Sequence, residues 1–220
     1  MSPARRRAAG LLCAAALVGG LSACQAPAGP SASPLSEGGP DAAAPSSAAP
    51  SQRPGTPGPT ATQGRVASGE LRSLSVPAVG FAAKVFPLTV AQMGGAIDPP
   101  TYTAGRPSLP VRVADRGVQP ASDAADTVYV GCHTSARNGA DRYPCNVLIR
   151  RVAPGDRIVA TTDAGTLTYT VTHTRSIAYG DFAGDEETWR VQPRRLVFVM
   201  CDIVDGRGNG ANWVVYAEVP

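Results

Sequence analysis

From Glu70 to Val219 the chain breaks into short runs rich in Val, Ile, Thr and aromatic residues: ELRSLSVP, LPVRVAD, TVYVG, NVLIRR, RIVATTD, GTLTYTVTHT, RLVFVMC and NWVVYAEV. Gly, Pro and Asp separate them and helical periodicity is scarce, so each run reads as a strand and each gap as a turn. One gap, Val152-Ala153-Pro154-Gly155-Asp156, fits a type II turn, with Pro fixing φ at the second position of the turn and Gly supplying a positive φ at the third. RLVFVMC is apolar on both alternating faces and reads as a buried strand. Seven or eight short strands at regular spacing point to an all-β fold, a closed barrel of about eight strands with short helices or turns between them.

The rest of the chain cannot contribute to that barrel. All twelve aromatic residues lie at or after Phe81, and residues 25–66 hold nine Pro with many Ala, Ser and Gly. Such a stretch buries too little surface to offset chain entropy, so 24–66 is expected to be a disordered linker and 67–220 the single folded domain. Charge narrows the partners. The chain has 20 Lys plus Arg against 17 Asp plus Glu, and Arg5, Arg6 and Arg7 account for the whole excess. What remains is balanced, which argues against nucleic-acid binding through clustered cations and against polybasic attachment to membranes.

Residues 1–23 read as a secretory signal peptide: MSPARRR is cationic, AAGLLCAAALVGG is apolar, and small residues precede Cys24. The apolar run is too short for a good permanent span. Its end, Leu21-Ser22-Ala23-Cys24, resembles a bacterial lipobox, in which the Cys is lipidated and becomes the first mature residue. That resemblance implies a lipoprotein on the outer face of the cytoplasmic membrane, held by two or three acyl chains.

With Cys13 removed and Cys24 lipidated, Cys132, Cys145 and Cys201 remain in an oxidising compartment. Cys132 and Cys145 flank a polar loop whose closure stabilises by about 3 kcal/mol, so they are expected to form a disulfide and to leave Cys201 unpaired. A lone Cys at a strand end is an inert core thiol or a nucleophile. A nucleophile needs a base, and the chain has two histidines. His173 shares the alternating face of Leu167, Tyr169 and Val171 and reads as a satisfied core or wall residue. His133 follows the strand TVYVG, where a strand end can present it in a cleft.

Taken in order, VYVGCHTS, RVAPGDRIVA, LVFVMCD and NWVVYAEV resemble the sortase family of cysteine transpeptidases over roughly residues 70–220. The proline-rich IDPPTYTAG and the DRGVQP stretch look most like the actinobacterial classes E and F. The resemblance implies a sortase-like barrel with His133 as catalytic histidine and Cys201 as nucleophile. The implied reaction is attack of the thiolate on a peptide carbonyl in a sorting signal, giving a thioacyl enzyme that an amine resolves. The implied partners are secreted proteins bearing a C-terminal sorting signal and an amine acceptor in the cell wall or a pilin. No cofactor is implied.

Three residues depart from the family pattern. Cys132 stands just before His133, where the family has Gly or another small residue; paired with Cys145 it clamps the histidine loop, and paired with Cys201 it blocks the nucleophile. Met200 replaces the Thr that precedes the family's Cys. Gly210-Ala211-Asn212 falls where class F sortases carry Arg-Asp-Asn, which leaves Arg207 in DGRGNG as the nearest candidate for the family's arginine. The acidic segment Asp181–Glu187 precedes the nucleophile strand and reads as solvated, so no metal is assigned to it; the alternative, implied by the resemblance to some relatives, is a calcium site. A second function class stays open: a non-catalytic lipoprotein of sortase fold that binds peptides or acts as a scaffold.

Overall fold

The β-rich runs form nine strands: β1 Leu71–Val76, β2 Phe81–Lys84, β3 Phe86–Leu88, β4 Val111–Gly117, β5 Val128–Cys132, β6 Arg157–Thr162, β7 Gly165–Ala178, β8 Arg195–Val204 and β9 Arg207–Glu218. The computed structural model describes residues 64–220, so the signal peptide, Cys24 and the linker up to residue 63 lie outside the described residues. At the start of the described chain, Arg65 pairs with Asp123 at 2.9 Å and Val66 exchanges hydrogen bonds with Ser122.

The strands make one sheet in the order β2-β1-β6-β7-β9-β8-β5-β4-β3, antiparallel except at β3/β4 and β5/β8. Its edge strands, β2 and β3, adjoin in sequence at Val85, and strand twist curls the sheet into a nearly closed barrel. Near-closure leaves little unpaired edge. The barrel expected from the sequence is therefore present, with nine strands in place of about eight.

Alternation along β8 explains why its sequence is apolar on both faces. Leu196, Phe198 and Met200 point into the barrel with Val128, Val130, Leu167, Tyr169 and Val215. Val197 and Val199 point outward and pack with Val111, Tyr129, Val214 and Tyr216. The outer face is covered by Met93 and Ile97 from one long connection and by Phe182 and Trp189 from another. These last two sit on α1 Tyr179–Phe182 and α2 Glu186–Trp189, single helical turns between β7 and β8.

Three local readings of the sequence are corrected. NVLIRR is not a strand: Pro144–Val147 is a 3-10 turn, Cys145 is bonded to Cys132, and Leu148 reaches the core from the turn that follows. The type II turn after it is present, with Asp156 N–H donating to Ala153 O at 3.1 Å and Gly155 at φ 90°. FAAK and FPL are strands, although Ala-rich or Pro-containing runs of three or four residues carry little strand signal; Pro87 is tolerated because β3 is an edge. His173 does not share the face of Val171. The β7/β9 register steps from Val171↔Ala217 to His173↔Tyr216, so Thr172 is an extra residue in a bulge and every side chain beyond it changes face. His173 lies on the outer face instead, stacked on Tyr216 at 4.4 Å with Nε2 3.0 Å from Glu187 Oε1.

Candidate active site

The parallel pairing of β5 with β8 builds the site. Its register runs from Val128↔Leu196 to Cys132↔Met200, so the next residue on each strand, His133 and Cys201, emerges at the same level. Both point to the outer face, because Cys132 and Met200 point inward. They line one small cavity together with Ile97, Asp98 and Asn212. Both are buried, His133 at 8% exposure and Cys201 at 7%.

The segment around Asp98 roofs this cavity. A Cβ at Gly131 would stand 2.5 Å from Ile97 Cγ2 and 3.3 Å from Pro99, so only glycine lets the roof settle on β5. Asp98 Oδ1 then lies 3.0 Å from His133 Nε2. Nε2 has no aligned hydrogen-bond partner, so the contact is a close approach of the carboxylate to the ring. Burial pushes the His133 pKa below its ordinary value, while the Asp98 carboxylate and a hydrogen bond to the Pro99 backbone push it back up. Burial wins, so the ring is held toward its neutral form. Sequence reasoning missed Asp98, whose signal is limited to an acidic residue beside a Pro-Pro pair.

The loop after His133 is braced from both sides. Cys132 and Cys145 form a disulfide with S–S 2.05 Å, the pairing expected from the sequence. Asn146 bridges the same loop, accepting from Ser135 N–H at 2.8 Å and donating to Ser135 O at 2.9 Å. The Thr134 hydroxyl donates to Cys201 O at 2.7 Å, tying the histidine loop to the nucleophile strand. A hydroxyl thus stands beside Cys201 although Met200, which replaces the family's Thr, faces the core.

The cysteine arithmetic needs one correction. Cys201 is disulfide-bonded in the structure. Attack through Cys201 accordingly requires the reduced chain.

Arg207 is not brought to the cavity. It opens β9 opposite Val204, is exposed, and stands three residues beyond Cys201, about 10 Å along the strand. Next to Cys201 on β8, Asp202 holds Arg150, whose Nε and Nη2 donate to it at 3.1 and 2.7 Å. Asp202 is fully buried and also accepts from Ser176 at 2.6 Å and Asn209 at 3.1 Å. Burial raises its pKa, but the hydrogen bonds from Arg150, Ser176 and Asn209 prevail and hold it below the usual carboxylate range. Directly across from Cys201 on β9 stands Asn212.

The small cavity continues into a larger groove of about 120 Å³ that shares Ile97, Val199 and Asn212 with it and adds Val90, Phe182 and Trp189. Arg116 sits at its wall, 4.9 Å over the Trp189 ring. The helical wall is fixed from beneath. Asp185 caps α2 by accepting from Thr188 N–H and Oγ1, both at 2.8 Å. Arg175 pairs with Asp185 at 2.9 Å and Glu187 at 2.7 Å, and His173 also holds Glu187. Asp185 and Glu187 are thus engaged in ion pairs and a cap, Asp181 and Glu186 are exposed, and no cluster of three or more His, Cys, Asp or Glu able to hold a metal exists among the described residues.

No family model matches the chain, and no curated protein matches it. Among solved structures the chain is similar to sortase A of Listeria monocytogenes, with 17% identity over 70% of this chain and 88% of that one and a TM-score of 0.48. It is similar to sortase C-1 of Actinomyces oris, with 12% identity over 67% and 72% and a TM-score of 0.48. A Clostridium perfringens sortase D5 transpeptidase is matched with 9% identity over 70% and 82% and a TM-score of 0.45.

Proposed function

We propose that the chain is a sortase-type cysteine transpeptidase, with Cys201 as nucleophile and His133 as general acid. The observation that carries this reading is the β5/β8 register, which delivers the chain's best candidate base and its strand-end cysteine to one cavity at the end of an apolar groove. The groove takes an extended peptide beside β8. The Cys201 thiolate attacks the carbonyl carbon of the scissile bond, a C–S bond forms, and the carbonyl electrons move to oxygen. Collapse breaks the C–N bond as the His133 imidazolium protonates the departing amine. A second amine then attacks the thioester and gives up a proton to the now neutral His133 imidazole as the C–S bond breaks, releasing the joined product and the thiolate. The substrates are secreted proteins with a C-terminal sorting signal, the acceptor is an amine of the cell wall or a pilin, and lipidated Cys24 anchors the enzyme outside the cytoplasmic membrane.

The test uses the chain after mild reduction, with a Leu-Pro-x-Thr-Gly-like peptide and triglycine as amine, followed by mass spectrometry. A thioacyl adduct on Cys201 and a triglycine-joined product, both absent in Cys201→Ala, are expected. A second reading, a peptide-binding scaffold, is favoured by the distance of Arg207 from the cavity. Under that reading the peptide binds the reduced chain and no adduct forms. Anchoring is checked separately by incorporation of labelled palmitate, which Cys24→Ala abolishes.

A further inference from the structure

The cavity presents an unusual inventory for acyl transfer: a nucleophile, a histidine and a carboxylate, but no cationic side chain. Each described arginine near it is engaged or displaced. Arg150 is bound to Asp202, Arg116 stacks on Trp189 in the larger groove, and Arg207 stands at the far end of the β8/β9 hairpin. The Thr134 hydroxyl is directed at the Cys201 carbonyl. Yet attack on a peptide carbonyl develops an oxyanion that needs a donor in a dry site.

Asn212 is that donor in position. The β8/β9 register makes it the direct cross-strand partner of Cys201, and directly opposed residues project to the same face with Cβ atoms about 5 Å apart. Its side chain is 4% exposed and lines both the small cavity and the groove. Among the described residues its side chain is given no hydrogen bond, and it faces the cavity, so its amide N–H groups are available to a ligand there. His133 is the other N–H donor at the cavity, and its proton belongs to the leaving group.

We infer that Asn212 is a catalytic residue whose Nδ2–H donates to the oxyanion formed when Cys201 attacks a carbonyl, in the place where a sortase uses arginine. This rests on the reading of Cys201 as nucleophile. It also carries a consequence that an arginine would not. A neutral amide stabilises the developing oxyanion but does little to favour the resting thiolate, so Asn212 separates acylation from thiol activation.

The test exploits that separation on the full chain, reduced with dithiothreitol and followed at Cys201 by peptide mapping. p-Nitrophenyl acetate acylates the thiolate through a tetrahedral oxyanion and a leaving group that needs no proton. Iodoacetamide alkylates the same thiolate by displacement of iodide, with no oxyanion. Asn212→Ala and the similarly sized Asn212→Leu are expected to lower acylation about a hundredfold while alkylation stays within about twofold of wild type. Acylation by Asn212→Ala within about threefold of wild type, or a parallel fall of both reactions, overturns the assignment. If the reduced wild-type chain is not acylated at Cys201, the nucleophile reading fails and the Asn212 role fails with it, a result visible before any variant is made.

Discussion

Asp98 Oδ1 lies 3.0 Å from Nε2 of His133, on a segment thirty-five positions upstream that the absent side chain of Gly131 allows to close over β5. The carboxylate opposes the downward push of burial on the imidazole pKa. In an acyl transfer that needs imidazolium and thiolate together, a histidine pKa below that of the thiol makes the reactive ion pair a minority form. Lowering the histidine further makes it rarer. Asp98→Asn is therefore expected to reduce the plateau of kcat/KM and to move the acidic limb of its pH profile to lower pH, because the population of that ion pair falls with the histidine pKa. An unchanged profile sinks the positioning role.

The same shift has a stability consequence of definite sign. The unfolded chain takes up a proton at His133 near pH 6.5, whereas the folded chain resists it until lower pH. Between those two values the unfolded state binds more protons, so stability falls as pH drops below about 6.5. Urea midpoints measured from pH 7.5 to 5 are expected to fall for wild type more steeply than for His133→Gln.

The Cys132–Cys145 bridge fixes the loop that carries His133. Replacing both cysteines with Ser is expected to lower stability by about 3 kcal/mol, the value for closing a loop of this size. The variant retains Cys201, so its activity separates the clamp from the nucleophile. A fall in transpeptidation larger than the unfolded fraction explains shows that the bridge orients His133 as well as stabilising the loop.

What the sequence conveyed and what it withheld divide along one physical line. β8 was legible because burial on both faces leaves an apolar run, and the turn at Pro154-Gly155 because only certain residues adopt its dihedrals. His133 and Cys201 were legible as types in order. Asp98 and Asn212 were not, because what matters about them is register: a parallel β5/β8 pairing and a cross-strand partner on β9 cannot be read from local pattern. Arg207 illustrates the reverse error, a residue suitable in type and close in sequence but carried away by the length of the hairpin. His173 shows how a single extra residue in a bulge defeats a period-two argument.

Arg195 tests how the groove wall is held. It is 1% exposed, and its guanidinium donates to the carbonyls of Glu187, Thr188 and Arg190 and to the Thr127 hydroxyl at 2.6–3.1 Å. These carbonyls close the end of α2, where backbone acceptors otherwise lack partners. Arg195→Met is expected to destabilise by about 3 kcal/mol by stranding buried acceptors, and to raise KM for peptide more than it lowers kcat. Urea unfolding and steady-state kinetics check the two parts.

The arginine question is decided by a pair of variants. Arg207 is exposed at the start of β9, so Arg207→Ala is expected to leave acylation of the reduced chain within about twofold of wild type and stability within about 0.5 kcal/mol. Arg150→Ala removes two hydrogen bonds from Asp202, a fully buried carboxylate adjacent to the nucleophile. Ser176 and Asn209 remain, so the loss is expected to be about 2 kcal/mol, short of the full penalty for an abandoned buried charge. It has a pH signature. With its largest donor gone, the Asp202 pKa rises toward the ordinary carboxylate value, and the stability that wild type keeps above pH 4 and loses in acid shrinks. Wild type and Arg150→Ala should therefore converge in urea midpoint as pH falls through the folded-state pKa of Asp202. A large loss of acylation in Arg207→Ala with no change in melting would instead bring that arginine into the reaction and require the β8/β9 hairpin to fold back over Cys201.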